Sequence, residues 1–234
     1  MGEGFGGSYN RTMCGRYTLY HHEEDLDALF GVAGLAAAAR FNIAPSQQVP
    51  IVRQRSDGTR EALTARWGLV PHWVKDLESF KANLFNARAE GAAEKPSFRD
   101  AMRRGRCLLP ASGFYEWSSA GGTKRPYHIV RRDGGPMAFA GVCSFWTRGS
   151  APLLSCTILT TRPNEVVRAL HDRMPVILEP REFERWLDPT NDDPARLQDL
   201  LDPFDDDALE AYPVSRAVGS PTVDRPELIE RRDG

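Results

Sequence analysis

Residues 137–160 read MAFAGVCSFWTRGSAPLLSCTILT, and this stretch indicates two neighbouring β-strands. Apolar, β-branched and aromatic residues fill Met137–Phe145 and Leu153–Thr160, and both runs have the length of ordinary strands. Between them lie Gly149 and Pro152, which are residue types that interrupt strands and favour turns. We therefore predict a β-rich core that contains these two runs.

Shorter runs of the same kind recur along the chain, and turn clusters such as SDG, SAGGTK and RRDGG separate them. They are Val49–Arg53, Glu61–Leu69, Arg106–Pro110, Gly113–Trp117 and Tyr127–Val130. Apolar residues at helical spacing predict helices over residues 22–38, Asn164–Leu170, Pro180–Leu187 and Ala195–Leu201. The pattern predicts a single α+β domain, with a mostly antiparallel sheet or barrel-like core and peripheral helices.

Composition places the chain among globular proteins, and its charge is unevenly distributed. Hydrophobic residues make up 41% and charged residues 26% of the 234 residues, and no run approaches the roughly 18 uncharged apolar residues that a membrane span requires. The net charge is −2. Residues 51–132 nevertheless hold sixteen Lys and Arg against eight Asp and Glu (+8), and residues 181–234 hold seven against fifteen (−8). A basic middle segment is compatible with a polyanion-binding face or with solvated surface charge.

The four cysteines do not form a metal-binding pattern. Cys107, Cys143 and Cys156 each lie in apolar segments, which is typical of reduced core residues. Neither a C-x-x-C pair nor a Cys/His cluster with zinc spacing is present, and no nucleotide fingerprint is found. We expect no metal and no cofactor, a cytoplasmic location because no signal peptide precedes the domain, and a monomer with no membrane contact.

The N-terminal region divides into a leader and a candidate nucleophile. Residues 1–13 are glycine-rich and lack hydrophobic periodicity, so we expect a flexible leader that is absent from the mature protein and a domain over residues 14–234. Removal of Met13 would leave Cys14 with an α-amine beside a thiol. The amine condenses with an aldehyde to an imine, and the thiol then closes on the imine carbon to a thiazolidine. A buried, inert cysteine at the start of a strand is the alternative.

Nine short motifs occur in an order that resembles the SRAP family, whose members crosslink to abasic sites in single-stranded DNA. The resemblance extends from Met13 to about Ile229. The motifs are MCGRY (13–17), FNIAPSQ (41–47), RWGLVPHW (66–73), FNARAE (85–90), KPSFR (95–99), CLLPASGFYEW (107–117), PYHI (126–129), TTRPN (160–164) and HDRMPVIL (171–178).

The resemblance implies a catalytic set and an activity. Cys14 is the implied crosslinking residue, and the implied partner is the ring-opened aldehyde of an abasic deoxyribose. Asn86, Glu116 and His171 are the other implied active-site positions. Glu116 suits proton transfer during imine formation, His171 can act as an acid at the sugar ring oxygen, and Asn86 offers an amide to the sugar or phosphate. The implied enzyme forms a DNA–protein crosslink, and lyase activity and autoproteolysis of the leader are compatible with it.

Single-stranded DNA is held by cations together with stacking surfaces, and the basic segment of residues 51–132 contains residues of both kinds. We expect Trp73 to stack on a base, and Trp67 either to stack or to lie in the core. Arginines that bind phosphates on either side of the lesion would hold the strand without sequence-specific contacts to bases. The complete set of predicted DNA-binding residues is Arg16, Pro45, Trp67, Trp73, Arg88, Lys95, Thr160 and Arg173.

Two other function classes fit parts of the sequence. A cysteine-type peptidase would use the Cys14 thiolate, with His171 as base and Glu116 as orienting group. A non-covalent nucleic-acid-binding module would use the basic face alone and would bind in a salt-sensitive manner whether or not the DNA contains a lesion. The state of the Cys14 nitrogen separates the crosslinking hypothesis from these two classes, because an amide nitrogen cannot form an imine.

Overall fold

The computed structural model describes residues 15–35, 38–118 and 124–233. Twelve strands and five α-helices occur in these ranges, together with short 3-10 helices. The strands are β1 (Tyr17–Leu19), β2 (Arg40–Ile43), β3 (Gln48–Gln54), β4 (Arg60–Trp67), β5 (Asn86–Arg88), β6 (Arg106–Ala111), β7 (Gly113–Ser118), β8 (Arg125–Arg131), β9 (Met137–Trp146), β10 (Leu153–Thr161), β11 (Met174–Pro175) and β12 (Leu209–Pro213). The helices are α1 (Glu23–Phe30), α2 (Ala89–Ala92), α3 (Arg99–Arg104), α4 (Glu165–Arg168) and α5 (Phe183–Leu187).

One sheet is closed into a barrel. Strands β10, β4, β3, β6 and β9 are neighbours in that order, and β9 pairs with β10 from Trp146 opposite Leu153 to Gly141 opposite Ile158. This last pairing joins the two ends of the sheet and removes its free edges. Strands β5 and β11 extend the same sheet along the end of β10.

A second sheet packs against the barrel. Its five strands follow the order β12-β8-β7-β1-β2, and all of its pairings are antiparallel. Tyr17 of β1 makes an edge-to-face contact with Trp67 of the barrel at 5.2 Å between ring centroids, and Phe114 of β7 contacts Phe139 at 6.0 Å. All four rings are fully buried. The core therefore lies between the second sheet and the barrel, with apolar side chains from both.

Local sequence explains where the helices stop. The predicted helix over residues 22–38 ends early, because Gly31 adopts a left-handed conformation (φ 64°) after Phe30, which is a common helix terminator. The Asp27 carboxylate then accepts hydrogen bonds from the Gly34 and Leu35 N–H groups and holds the chain outside the helix. Asn164 caps α4 by accepting from the Val167 N–H. None of the helices in the described ranges is long and apolar enough to cross a bilayer.

The predicted fold class is confirmed, and the predicted strands are found within two residues of their expected bounds. Five strands are found that the sequence analysis did not assign, namely β1, β2, β5, β11 and β12. The predicted helix over Ala195–Leu201 is a 3-10 helix (Pro194–Leu201), and the first turn of the predicted helix over Pro180–Leu187 is also 3-10. Cys107, Cys143 and Cys156 are buried and reduced, as expected.

Barrel closure depends on a glycine where β9 meets β10. A Cβ atom at Gly141 would lie 2.2 Å from Leu109 Cδ1 and 2.8 Å from the Thr157 carbonyl oxygen. We predict that Gly141→Ala lowers the free energy of unfolding by about 2 kcal/mol, because the barrel wall must shift to admit the methyl group. Urea unfolding of this variant measures the change. Gly219→Ala is the control, since nothing lies within 4 Å of its Cβ position; equal stabilities of the two variants would contradict the prediction.

Candidate active site

Strand β10 positions Asn86. The short strand β5 runs parallel to β10, with Asn86 opposite Ile158 and Arg88 opposite Thr160. The Ile158 N–H donates to the carbonyl oxygen of Phe85 at 3.1 Å, so the backbone just before Asn86 is fixed. Asn86 is partly buried, and its backbone is held on a rigid strand.

His171 lies in the turn between α4 and β11. Its backbone N–H donates to the Val167 carbonyl oxygen at 2.8 Å, and the residue is 8% exposed. The Nδ1 atom accepts from the Arg173 N–H at 3.1 Å and lies 3.1 Å from Asp172 Oδ1. The first contact suits the neutral ring and the second suits the protonated ring. The same turn thus has a polar partner for either protonation state.

An ion pair attaches this turn to the strand that carries Asn86. Both terminal nitrogens of Arg173 donate to the Glu90 carboxylate at 2.6 and 2.7 Å, and Arg173 also donates to the carbonyl oxygen of Thr160 on β10. Glu90 belongs to α2, which directly follows β5. The turn of His171 and the strand of Asn86 are consequently held to the same end of β10.

Glu116 comes from the second sheet. It lies on β7 opposite Tyr127 of β8 and is 1% exposed. Strand β1 pairs with β7 so that Tyr17 lies opposite Phe114, and the Tyr115 N–H donates to the Arg16 carbonyl oxygen at 3.0 Å. Continued by two residues, this register sets Gly15 opposite Glu116. A buried carboxylate therefore lies beside the first described residue of the chain.

An aromatic chain connects the two halves of the site. Tyr17 packs on Trp67, and Trp67 packs on Phe85 at 6.1 Å while its Nε1 donates to the Phe85 carbonyl oxygen at 2.8 Å. Phe85 immediately precedes Asn86. The N-terminal strand and the Asn86 strand are thus separated by a single packed indole ring.

The predicted nucleophile Cys14 lies outside the described residues, as does the predicted leader, residues 1–13. Cys14 is bonded to Gly15. The structure therefore brings Asn86 and the His171 turn together on β10, and it sets Glu116 beside the residue that follows Cys14.

Three predicted DNA-binding residues are exposed. Trp73 is 44% exposed, and its Nε1 donates to the Pro96 carbonyl oxygen at 3.2 Å. Arg88 and Lys95 are exposed, and neither forms an ion pair with another described residue. Together these side chains present an indole face before Asn86 in the chain and two available cations on the segment that follows it.

Two predicted DNA-binding residues are buried. Trp67 is fully buried between Tyr17 and Phe85, so the structure assigns it to the core and leaves no ring face for a base. Thr160 is also fully buried, and its hydroxyl donates to the Ala87 carbonyl oxygen at 3.4 Å. The prediction that these two contact DNA is therefore corrected: both support the strands of the site from within.

Of the remaining three residues, the two arginines have structural partners and Pro45 lies in a turn. Arg173 is held by Glu90 and β10, as described above. Arg16 donates to Asn42 Oδ1 at 3.0 Å and to the carbonyl oxygens of Val218 at 2.7 Å and Gly219 at 3.2 Å, and desolvation lowers its pKa. Pro45 is half-buried in a turn whose next residue, Ser46, has a φ of 74°.

The sequence analysis missed two positioning residues. Glu90 was quoted only as part of the FNARAE motif, yet its pairing with Arg173 fixes the site. Asp172 was quoted only within HDRMPVIL, yet it lies beside the imidazole. The signal that could have revealed Glu90 is its acidic side chain two positions after the predicted DNA-binding residue Arg88. No group of three His, Cys, Asp or Glu with metal-binding geometry occurs among residues 15–35, 38–118 and 124–233.

Comparison with known proteins identifies close similarities over nearly the whole chain. The family model described as SOS response associated peptidase (SRAP) matches residues 13–221. The chain is 44% identical over 225 residues to the abasic site processing protein YoqW of Bacillus subtilis, covering 93% of this chain and 99% of that protein. It is 31% identical to the abasic site processing protein HMCES of Gallus gallus, over 81% of this chain and 65% of that protein.

A solved structure supports the fold. A crystal structure of a protein from Bacteroides thetaiotaomicron superposes with a TM-score of 0.83 at 28% identity, and it covers 94% of this chain and 100% of that chain. A protein from Bordetella bronchiseptica gives a TM-score of 0.77 at 28% identity, covering 86% of this chain and 100% of that one. The mixed α+β architecture is therefore shared with solved proteins.

The Glu90–Arg173 pair gives a pH-dependent prediction. Hydrogen bonding to Arg173 lowers the pKa of Glu90 below its usual 4.5, so its stabilisation is present above that value and is lost as the pH falls through the lowered pKa. We predict that Glu90→Gln costs less than about 1 kcal/mol at pH 7, since the carboxylate is largely exposed. Urea unfolding should show this difference vanishing in acid. Glu184→Gln, an exposed control, should be neutral throughout; a pH-independent loss in Glu90→Gln would contradict the assignment.

Proposed function

The chain belongs to the SOS response associated peptidase family, and on that premise we propose that it processes abasic sites in DNA by forming a covalent crosslink. The proposed substrate is the ring-opened aldehyde of an abasic sugar in a single strand, and the proposed nucleophile is Cys14. Relatives that match 93% of the chain are named abasic site processing proteins, which supports the substrate class.

The register of β1 on β7 is the observation that carries the proposal. Because this register sets Gly15 opposite the buried Glu116, an aldehyde that reaches Cys14 comes close to an acid–base group. Asn86 and the His171 turn approach from β10, as described above. An aminothiol at position 14 would thus react within reach of three polar side chains of different chemistry.

The proposed reaction proceeds in two bond-forming steps. The α-amine of Cys14 adds to the aldehyde carbon to give a carbinolamine, which loses water to form an imine. The Cys14 sulfur then bonds to the imine carbon, and the thiol proton is transferred to the nitrogen, closing a five-membered thiazolidine. No oxidant or reductant is consumed.

The other site residues have separate proposed roles. Loss of water from the carbinolamine requires a proton donor, and we assign this step to Glu116. His171 is suited to protonate the sugar ring oxygen during opening, since its Nδ1 has partners for both protonation states. The Asn86 amide is assigned to the sugar hydroxyl or the adjacent phosphate.

Selectivity for an abasic site follows from the lack of a base to displace. Trp73 offers an exposed indole for stacking, and Arg88 and Lys95 offer cations for phosphates on the segment after Asn86. Such contacts hold a strand without a sequence code. A nucleotide without its base costs least to turn out of the stack, so the lesion enters the site most easily.

The thiol and the amine of Cys14 can be tested separately. We predict that Cys14→Ser abolishes the adduct that survives heating in denaturant, because the hydroxyl forms a weaker ring closure, but retains an adduct trapped by borohydride, because the amine still forms an imine. Gel mobility of a labelled single strand carrying one abasic site measures both. A heat-stable adduct in Cys14→Ser would overturn the thiazolidine.

A matched experiment uses a variant that resists processing, so that residues 1–13 stay attached. Its N-terminus is verified by intact mass. An amide nitrogen at Cys14 cannot form an imine, so no adduct is expected. Turnover of a peptide by this blocked protein would favour the cysteine-type peptidase. Equal, salt-sensitive binding to intact and abasic strands without any adduct would favour the non-covalent binding module.

The role of Glu116 predicts a loss of rate with retained binding. Glu116→Gln should slow adduct formation about a hundredfold, because general acid–base catalysis contributes on this scale. Single-turnover crosslinking measures the rate, and fluorescence anisotropy with a non-reactive abasic analogue measures the affinity. Glu184→Gln is the matched control at an exposed position. An unchanged rate in Glu116→Gln would remove Glu116 from the mechanism.

A further inference from the structure

A second cationic surface is formed by residues of β3, α3 and β9 together with His72, and Asn86, Glu116 and His171 do not line it. It is a depression of about 500 Å³ between the end of α3 and the end of β9. We call it the arginine groove. The lining residues on which the argument rests are Arg53, His72, Arg103, Arg104, Ser144 and Phe145.

The arginine groove carries uncompensated positive charge. Arg103 and Arg104 are exposed on the last turn of α3, and neither forms an ion pair with any residue that the structure describes. Arg53 pairs with Glu61 at 2.5 Å. Asp100, which also lines the depression, lies 3.5 Å from Arg99 and 3.8 Å from His72. Two guanidinium groups therefore remain available to an anion.

An exposed aromatic ring lies among these cations. Phe145 is 45% exposed, and the Arg53 guanidinium lies over its ring at 5.1 Å. Stabilisation of α3 by basic residues at its C-terminus would explain the two arginines, but it would not explain an apolar ring left in water beside them. Cations flanking an exposed ring are the usual features of a surface that binds unstacked bases and their phosphates.

The arginine groove adjoins the proposed DNA-binding face. His72 lines the groove and is followed by Trp73, whose indole is attached to the Pro96 carbonyl oxygen beside Lys95. The Arg148 side chain also reaches this border, donating to the His72 carbonyl oxygen at 3.2 Å. A strand that leaves Trp73 on the side of His72 therefore meets Phe145 and the end of α3 next.

We propose that the arginine groove binds the single strand that flanks the lesion, with phosphates on Arg103 and Arg104 and a base on Phe145. The ligand class rests on the proposed function, because a protein that acts on abasic strands must also hold the nucleotides beside the lesion. The groove thereby sets the length of strand that the protein covers, and it adds affinity without adding base specificity.

DNA strands of two lengths distinguish binding in the arginine groove from binding at the crosslinking site. For a strand of about 20 nucleotides carrying a non-reactive abasic analogue, we expect Arg103→Glu/Arg104→Glu to weaken binding about tenfold and to reduce the salt dependence by about 1 in the log–log slope. For a strand of about 5 nucleotides centred on the lesion, affinity and crosslinking rate should remain those of the unaltered protein. Equal losses on both lengths, or no loss on either, would overturn the proposal.

Arg181→Glu/Arg196→Glu is the control, since it makes the same change in net charge at exposed positions outside the groove. A similar loss in this variant would assign the effect to overall charge and overturn the proposal. Thermal unfolding verifies that both double variants are folded. Phe145→Ala provides a second arm that leaves charge unchanged, and it should also weaken only the long strand.

Photo-crosslinking of undamaged strands tests the groove independently of abasic chemistry. A strand with one iodinated pyrimidine, moved position by position, should give an adduct at Phe145, which peptide mass spectrometry identifies. This result would stand even if no abasic crosslink formed, so the failures of the two proposals are distinguishable. Absence of an adduct at Phe145 from every position, with binding of an acidic polypeptide to the groove instead, would overturn the assignment to DNA.

Discussion

The pairing of β10 with four other strands is the constraint on which the structure depends. Antiparallel pairing with β9 closes the barrel, while parallel pairing with β4 and then β5 fills the opposite edge. At its end β10 also pairs with β11. A strand with partners on both sides along its length cannot shift register without breaking several ladders at once. Every group attached to β10 is therefore placed by the barrel rather than by its own loop.

The polar residues of the candidate site are held in place by these paired strands. Asn86 arrives on β5, and the His171 turn arrives through β11 and the contact of Arg173 with Thr160. The second sheet contributes Glu116, which is buried on a strand that also orients the start of the chain. Burial of a carboxylate and an imidazole costs free energy unless polar partners are present. Placement on strands and ion-paired turns, rather than on mobile loops, is what allows these groups to keep one geometry.

The sequence predicted the long strands well because their apolar content is a local property. It missed β1, β2, β5, β11 and β12, since these strands are short and their side chains are mixed; they form because neighbouring strands pair with them. The helix over residues 22–38 was overextended because alanine-rich periodicity continues past Gly31, where the backbone turns. At the site, the motifs supplied Asn86, Glu116 and His171. They could not reveal that Trp67 is a core residue, because an indole that packs and one that stacks on DNA have the same local sequence.

The net charge of a basic segment does not reveal which of its cations are available to an anion, because this depends on their partners in the folded chain. Arg16 and Arg173 lie close to predicted site residues in the sequence, yet both guanidinium groups donate to internal acceptors. Arg106, from the same basic region, donates to the carbonyl oxygens of Trp186, Met102 and Asp188. Such residues stabilise the fold and have little left to offer a phosphate. Arg88, Lys95 and the two arginines at the end of α3 are exposed and form no ion pair with another described residue, so the proposed strand would lie along that face and towards the end of β10.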